Sequence, residues 1–283
     1  MVDLHTHSTA SDGTLEPAEL VRKAVGCGVK ALSLTDHDTL SGLKEAAAQA
    51  SELGLKFIPG IEISADFSPG TMHMLGYYVD ADDAVLKQKL SWLREGRDRR
   101  NTNILQMLEK LGYPLEMREL KEYAKGESVG RPHIARAMLA RGYVGSEEEA
   151  FNRFLAKGGP AYANKERMNP ARAMELVVGA GGLPVLAHPL TLDLNSRELA
   201  DLLAELKETG LAGVEAYYYS HSEEEMFLYK YLADELDLIV TGGTDYHGPG
   251  FKGIELGRGL GGMKVPDEVV DRLEGEHRAR SGS

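Results

Sequence analysis

The sequence predicts an α/β fold built on a mainly parallel sheet or barrel, with a helical insertion in the middle. Three observations carry this. Short apolar runs alternate with amphipathic stretches over residues 1–81 and again after Pro160, the pattern of strands joined by crossover helices. No strand pattern is evident between about residues 82 and 160. Histidines and carboxylates collect where the strands end, the edge at which parallel α/β folds bring side chains from many strands together.

The elements follow in order. Residues 2–4 form a very short strand that ends in His5-Thr6-His7. Asp12-Gly13 turns the chain into a helix over 17–26, with Glu16 and Glu19 supplying acids to its first turn. A strand over 29–34 runs into Thr35-Asp36-His37-Asp38. A helix over 41–53 stops at Gly54, and a strand over 56–64 carries Glu62 at its end. The run 72–78 is a further strand and contains His73. The insertion reads as one long charged helix from 82 to about 111, a short helix over 116–124 and a third over 132–141. A fourth begins at Ser146, where Glu149 completes a capping box. The α/β pattern then resumes. A helix from 169 to 180 leads to a strand over 183–187 that ends in His188-Pro189. A helix over 196–209 is stopped by Gly210, and a strand over 214–218 precedes Ser220-His221-Ser222. A helix over 223–236 precedes a strand over 238–243 that opens into Thr244-Asp245-Tyr246-His247-Gly248. Residues 277–283 read as a frayed polar tail. The expected division is a discontinuous barrel, 1–81 and 166–283, around a helical cap, 82–165.

A length of 283 residues suits one large domain, or a domain plus an insertion. The hydrophobic fraction of 42% is ordinary for a soluble protein. No apolar run approaches the roughly 20 residues of a membrane helix, and no basic-then-apolar leader precedes the first strand. The single cysteine, Cys27, excludes an internal disulfide and reads as packing, so a reducing, cytoplasmic location is expected. A net charge of −12 disfavours a generic nucleic-acid binder. That charge is uneven. Residues 94–172 hold 16 basic and 11 acidic side chains, net +5, and the remainder holds 16 and 33, net −17. An acidic body with a basic centre suits a metal-rich site plus a segment that attracts an anion; the plainer alternative is a solvated helical face.

Side chains two apart on a strand share a face, so His5 and His7 aim at one point and make half a metal site. Asp12 is a third candidate ligand. His37, His73, His188 and His247 likewise fall at or near C-terminal strand ends or in the loops after them, as do Asp36, Glu62 and Asp245. Six imidazoles and several carboxylates exceed one tetrahedral site and suit two or three ions, with Glu62 as the natural bridge. Paired ions about 4 Å apart can hold a hydroxide nucleophile, polarise a phosphoryl group and stabilise the leaving oxygen. A nitrogen and oxygen donor set without cysteine favours manganese, iron, zinc or magnesium. His133 reads as a helix-end residue and His277 has no assigned role. His221 stays open between a contact to the site and an ordinary loop residue.

The stretches H-T-H-S-T-A-S-D-G-T, L-T-D-H-D-T, G-I-E-I-S, M-H-M-L-G-Y, L-A-H-P and G-T-D-Y-H-G together resemble the successive motifs of the PHP (polymerase and histidinol phosphatase) family of metal-dependent phosphoesterases. The resemblance covers residues 1–78 and about 169–257. It implies a distorted seven-stranded (β/α) barrel with three metal positions at its C-terminal rim. The first would use His5, His7, Glu62 and Asp245. The second would share Glu62 and add His73 and His188. The third would use Asp12, His37 and His247. Asp36 would orient a neighbouring imidazole. Within the insertion, G-R-P-H-I-A-R-A-M-L and F-L-A-K-G-G-P-A-Y resemble the cap of members that act on small nucleotides. Arg131 is the first candidate for phosphate, because a guanidinium grips it with a planar fork. Arg136, Lys157 and the backbone N–H groups that open the helix after Pro132 are further candidates.

The expectation is therefore a hydrolase that releases a terminal phosphate from a small nucleotide such as a 3′,5′-nucleoside bisphosphate, or acts on short 5′-phosphorylated RNA. Manganese is the first expected metal. His247 or His221 would protonate the leaving group, and Asp245 would sit at the reacting centre. The alternatives are a phosphatase for histidinol phosphate or another monoester, a metal-dependent amidohydrolase, and a non-catalytic module. The amidohydrolase is disfavoured because Lys30 and Lys56 start strands. Neither a membrane nor an obligate protein partner is expected.

Overall fold

The computed structural model describes residues 1–124, 129–164 and 168–282. The expected boundary between 165 and 166 lies outside the described residues, as does residue 283 of the polar tail. Seven strands form one sheet in sequential order: β1 (Val2–Asp3), β2 (Ala31–Leu34), β3 (Lys56–Ala65), β4 (Met72–Tyr77), β5 (Leu183–Leu186), β6 (Gly213–Tyr218) and β7 (Ile239–Gly243). The sheet curls until its ends meet. Leu4 donates its N–H to the Gly242 carbonyl at 3.2 Å, and Asp245 donates to the His5 carbonyl at 2.8 Å. This is the distorted seven-stranded barrel that the resemblance implied.

Every neighbouring pair is parallel except those of β4, which runs antiparallel to both β3 and β5. The reversal corrects one expectation. His73 is the second residue of β4 and so lies at its N-terminal end. Because β4 runs backwards, that end reaches the same rim as the C-terminal ends of its neighbours.

Helices α1 (Pro17–Gly26), α2 (Leu43–Leu53), α7 (Pro170–Gly179), α8 (Ser196–Glu208) and α9 (Glu223–Glu235) pack apolar faces against the outside of the sheet. Leu20 and Ala24, Ala46 and Ala50, Met174 and Val177, and Leu199 and Leu203 are buried there. These pairs recur at helical spacing, which turns one stripe of each helix to the core. Inside the barrel Leu4, Ile58, Leu75, Tyr77 and Val185 form a second cluster. Helix α10 (Glu268–Ser281) closes this cluster with Val269, Val270 and Leu273.

Helix α10 corrects the reading of the C-terminus as a frayed tail. Its hydrophobic stripe is short, and its surface is held by ion pairs from residues that open strands. Lys30 reaches Asp267 at 2.7 Å and Lys56 reaches Glu274 at 2.9 Å. His277 stacks on Tyr78 with centroids 4.4 Å apart and bonds the Gly181 carbonyl. The N-terminal end of the barrel is thus plugged, and the C-terminal rim carries the clustered polar residues.

Between β4 and β5 the chain forms α3 (Ala84–Lys110), α4 (Met117–Tyr123), α5 (Arg131–Ala140), α6 (Glu147–Ala150) and a π turn (Phe151–Leu155). Asp83 caps α3 by accepting from the Leu86 N–H. Helix α3 spans roughly 40 Å at 1.5 Å per residue and belongs to two cores. Leu86, Leu90 and Leu93 join the barrel's outer cluster. Ile104, Leu105 and Leu108 join a separate cluster with Leu120, Ile134, Met138 and Phe154. At the junction Arg97, Arg100 and Asn101 are buried.

Candidate metal centre

The strand ends converge on Glu62. This carboxylate is 1% exposed and stands among five imidazoles. Its Oε1 lies 2.7 Å from His73 Nδ1 and 3.1 Å from His188 Nε2. Its Oε2 lies 2.9 Å from His37 Nδ1 and 3.3 Å from both His5 Nε2 and His7 Nε2. Asp245 Oδ1 adds contacts of 3.0 Å to His7 Nε2 and 3.5 Å to His5 Nε2. On the far side of His7, Asp12 Oδ1 lies 3.3 Å from His247 Nε2.

Among the described residues, three groups of donor atoms, each within 4.8 Å of one another, emerge: His5, His7, Glu62 and Asp245; His37, Glu62 and His73; and His7, Asp12, His37 and His247. The first reproduces the expected set. The second replaces His188 by His37, although His188 Nε2 still faces Glu62. The third adds His7.

The donor set fits divalent cations. His5 Nε2, both nitrogens of His7, His37 Nδ1 and Glu62 Oε2 are buried without a hydrogen-bond partner. They lie within ion-pair distance of opposite groups yet lack hydrogen-bond geometry, so among the described residues nothing uses the lone pairs they offer. Burying such atoms unpaired is costly, and a cation among them removes the cost. Protons and metal compete for the same atoms. Burial opposes a charge on His7, but the adjacent carboxylates of Asp245 and Glu62 prevail and raise it to about 10. Burial likewise opposes ionisation of Glu62, yet His37, His73 and His5 hold its carboxyl well below the usual range. His73 goes the other way: burial lowers it to about 4 despite Glu62.

Several residues that the sequence reading missed hold the ligands in place. Glu215, fully buried on β6, accepts from His5 Nδ1 at 3.0 Å and from the His188 N–H at 2.8 Å. Tyr218 donates its hydroxyl to Asp245 Oδ2 at 2.9 Å. Glu215 and Tyr218 are three apart, which regular alternation would send to opposite faces. A bulge between Glu215 and Tyr217 resets the alternation and turns both to the site. Asp38 accepts from the Ser64 N–H at 3.0 Å and pairs with buried Arg97 of α3. Asp38, His188 and Asp245 adopt positive φ (54°, 24° and 52°), which non-glycine residues take only where the surroundings hold them. Gly243 lets β7 approach β1 closely, since a Cβ there would overlap the backbone N and Cβ of His5. Among these, Glu215 had the clearest sequence signal: it is a lone acid inside an otherwise apolar strand.

Asp36 corrects an expectation. It holds no imidazole; its carboxylate accepts from the Ser8 N–H at 2.8 Å, Ser8 Oγ at 2.6 Å and Ser11 Oγ at 2.5 Å. These bonds fix the loop between His7 and Asp12. The substrate candidates separate in space. Arg131 and Lys157 line one cavity of about 700 Å³ with Phe67, Thr71, Phe151, Tyr162 and Asn164. Arg136 is outside that lining and pairs with Glu147 at 3.4 Å. The Gly130 N–H at the start of α5 is taken by His133 Nδ1 at 2.8 Å, so His133 is a helix-end residue as expected.

His247 lies within the third donor group, with its Nδ1 donating to the Asp245 carbonyl at 2.8 Å. His221 stands outside all three. Its Nδ1 donates to the Ala216 carbonyl at 2.8 Å, and its ring packs 5.0 Å from Tyr218. Burial lowers its affinity for a proton, so near neutral pH the ring carries little of the protonated form that a general acid must supply.

The PHP domain family profile matches residues 3–152. A 5′-3′ exoribonuclease of Haemophilus influenzae is 36% identical over 259 residues, covering 91% of this chain and 93% of the relative. The chain belongs to the PHP family. A 3′,5′-nucleoside bisphosphate phosphatase of Chromobacterium violaceum is 33% identical over 264 residues, covering 90% of each chain. A solved structure from the same organism, described as an amidohydrolase with bound sulfate and no metal, superposes with a TM-score of 0.87 at 31% identity. It covers 99% of this chain and 96% of that one. The PHP assignment and these relatives make this chain a metal-dependent phosphoesterase. Lys30 pairs with Asp267, the residue before α10, and Lys56 with Glu274 of α10, both at the opposite end of the barrel, so neither can bridge metals as an amidohydrolase lysine would. No helix among the described residues is long and apolar enough to cross a membrane.

Proposed function

We propose that this phosphoesterase removes a terminal phosphate from small nucleotides, with 3′,5′-nucleoside bisphosphates preferred and short 5′-phosphorylated RNA as the related substrate. One observation carries the preference. Arg131 and Lys157, two cations of the insertion, share a cavity with Thr71, the residue just before Met72-His73 on the metal rim. Its volume of about 700 Å³ suits a nucleotide. Tyr162 lies under the Arg131 guanidinium at 5.6 Å, and with Phe151 it offers an aromatic wall for a base. The names of the Haemophilus and Chromobacterium relatives support the same class of substrate.

His5, His7, Glu62 and Asp245 would hold one metal ion; Glu62, His73 and His188 a second; and Asp12, His37 and His247 a third, each imidazole giving its one lone pair to one ion. Manganese is the first choice for a mixed imidazole and carboxylate set, with iron, zinc and magnesium next. Such ions supply Lewis acidity at the phosphoryl oxygens and a nucleophile at neutral pH. The protein's own residues do the rest. Glu62 spaces the imidazoles, and Tyr218 orients Asp245. Arg131 grips the phosphate that is not cleaved, which holds the scissile one over the rim.

The test is phosphate release by manganese-loaded protein from adenosine 3′,5′-bisphosphate, AMP, histidinol phosphate and a short 5′-phosphorylated RNA. Arg131→Ala should raise KM for the bisphosphate by about 10- to 100-fold, the size expected for a charge-assisted hydrogen bond, and leave AMP nearly unchanged. Equal loss on both substrates would remove Arg131 from the second phosphate. A preference for histidinol phosphate would discard the cavity reading.

A further inference from the structure

Every imidazole that binds a metal through Nε2 must keep its proton on Nδ1, and something must hold that proton there. His188 Nδ1 has the Thr191 hydroxyl at 3.0 Å, an oxygen whose own proton has the Thr71 carbonyl at 2.9 Å and the His188 carbonyl at 3.1 Å as acceptors. His5 Nδ1 has Glu215 Oε1 at 3.0 Å. The other oxygen of the same carboxylate accepts the His188 main-chain N–H at 2.8 Å. Glu215 is fully buried, and nothing in the proposed chemistry uses it. It nevertheless touches one residue of the first donor group and one that faces Glu62 from the other side.

We propose that Glu215 is a positioning residue that fixes the proton on His5 Nδ1, and thereby makes His5 Nε2 a ligand of the first metal position. This rests on the reading of His5 as a metal ligand. It predicts an order of variants that packing alone would not give. Glutamine at 215 keeps the shape but offers one acceptor and one donor where two acceptors stood. The His188 N–H is fixed by the backbone and cannot move its proton, so the amide oxygen turns to it. The amide NH₂ then faces His5 Nδ1 and requires an acceptor there. An imidazole that accepts at Nδ1 and ligates at Nε2 would have to be an anion. His5 therefore keeps its proton on Nε2 and leaves the metal. Alanine at 215 imposes no such demand; it loses packing and a hydrogen bond, but His5 stays free to ligate.

The experiment titrates metal-free wild type, Glu215→Gln and Glu215→Ala with zinc, which is diamagnetic. It reads stoichiometry and affinity by calorimetry, ring N–H signals by ¹⁵N NMR, and thermal stability separately. In zinc-loaded wild type, His5 should show an Nδ1–H signal and no Nε2–H. Glu215→Gln should weaken one zinc position by about 10- to 100-fold, the range for loss of such a partner, and lose that signal. Glu215→Ala should bind zinc better than Glu215→Gln while melting lower. The inference is overturned if Gln binds zinc like wild type, or if zinc affinity follows thermal stability with Ala worst. If zinc-loaded wild type shows no ligation by His5, the underlying metal reading fails instead, and that result needs no variant to fold.

Discussion

The barrel rim and the helical insertion are built on opposite principles. On the rim, ligands come from strand ends spread across the chain, and each side chain's direction is set by its strand. The insertion is made of contiguous helices with an apolar core of their own, Ile104, Leu120, Ile134 and Phe154 among them. Among its cations, Arg97 and Arg100 are 5% and 6% exposed at the junction, Arg131 and Lys157 line the pocket, and others such as Arg118 and Arg141 sit in surface ion pairs. In the reading proposed above, the rim fixed by sheet geometry holds the phosphoesterase chemistry and the separately packed helical unit selects which phosphate ester is presented, with Arg97 and Asp38 as the tie between them.

The comparison breaks most sharply at Glu62, where one carboxylate serves five imidazoles. Glu62→Gln keeps the shape and removes the charge. Metal content should fall, and turnover should drop by on the order of a thousandfold, the several kcal/mol a metal ion supplies at about 1.4 kcal/mol per tenfold. Metal analysis and phosphate release measured on the same sample check it. Full metal content with near-normal turnover would mean that Glu62 is not the hub.

The rim was largely legible from sequence, and for a physical reason. His5, His7, His37, Glu62, Asp245 and His247 are polar residues at ends of apolar strands, where a solvated role and a shared site are the main options, and their number favours the site. The division of the ligands into groups came from the family resemblance and not from that pattern, and His73 reaches the rim only because its strand runs backwards. What failed depended on register or on packing. Tyr218 was hidden by a bulge that no alternation predicts. Asp36 adjoins His37 in sequence, yet its carboxylate turns to Ser8 and Ser11 and not to an imidazole. In the insertion, Arg97 reads in sequence like any charge on a long polar helix. Only the packing of α3 across two cores buries it against Asp38.

That ion pair is the next place to test the division. Asp38 follows His37, and its carboxylate also holds the Ser64 N–H two residues beyond Glu62. Arg97→Ala leaves a buried carboxylate without its guanidinium, which should cost about 3–5 kcal/mol. Urea unfolding of Arg97→Ala, Asp38→Asn and the double variant measures it, and the double variant should lose clearly less than the sum. If the insertion were merely appended, metal affinity would not change. Because Asp38 joins the two ligand-bearing segments, metal affinity should fall as well. A cost under about 1 kcal/mol would show that α3 is held by its leucines alone.

The smallest effect concerns His133, which joins the insertion's own architecture to the charges around it. Burial lowers it from the usual 6.5 to about 4, helped by Arg136 and Arg97 and opposed by Asp12. The folded form therefore holds this ring neutral while the unfolded chain protonates it. Between pH 6.5 and 4 the unfolded state binds more protons, so this contribution is complete above pH 6.5 and is lost as the pH falls through that window. At 1.36 kcal/mol per pH unit it amounts to roughly 2–3 kcal/mol by pH 4.5. His133→Asn removes the titration and keeps an acceptor for the Gly130 N–H. At pH 7 the variant should be no more stable than wild type. By pH 4.5 the gap should close or reverse by that amount, because only wild type has lost it. Urea midpoints for both proteins at the two pH values decide the matter. A constant gap would mean that His133 titrates alike folded and unfolded, and that the start of α5 is wetter than its burial implies.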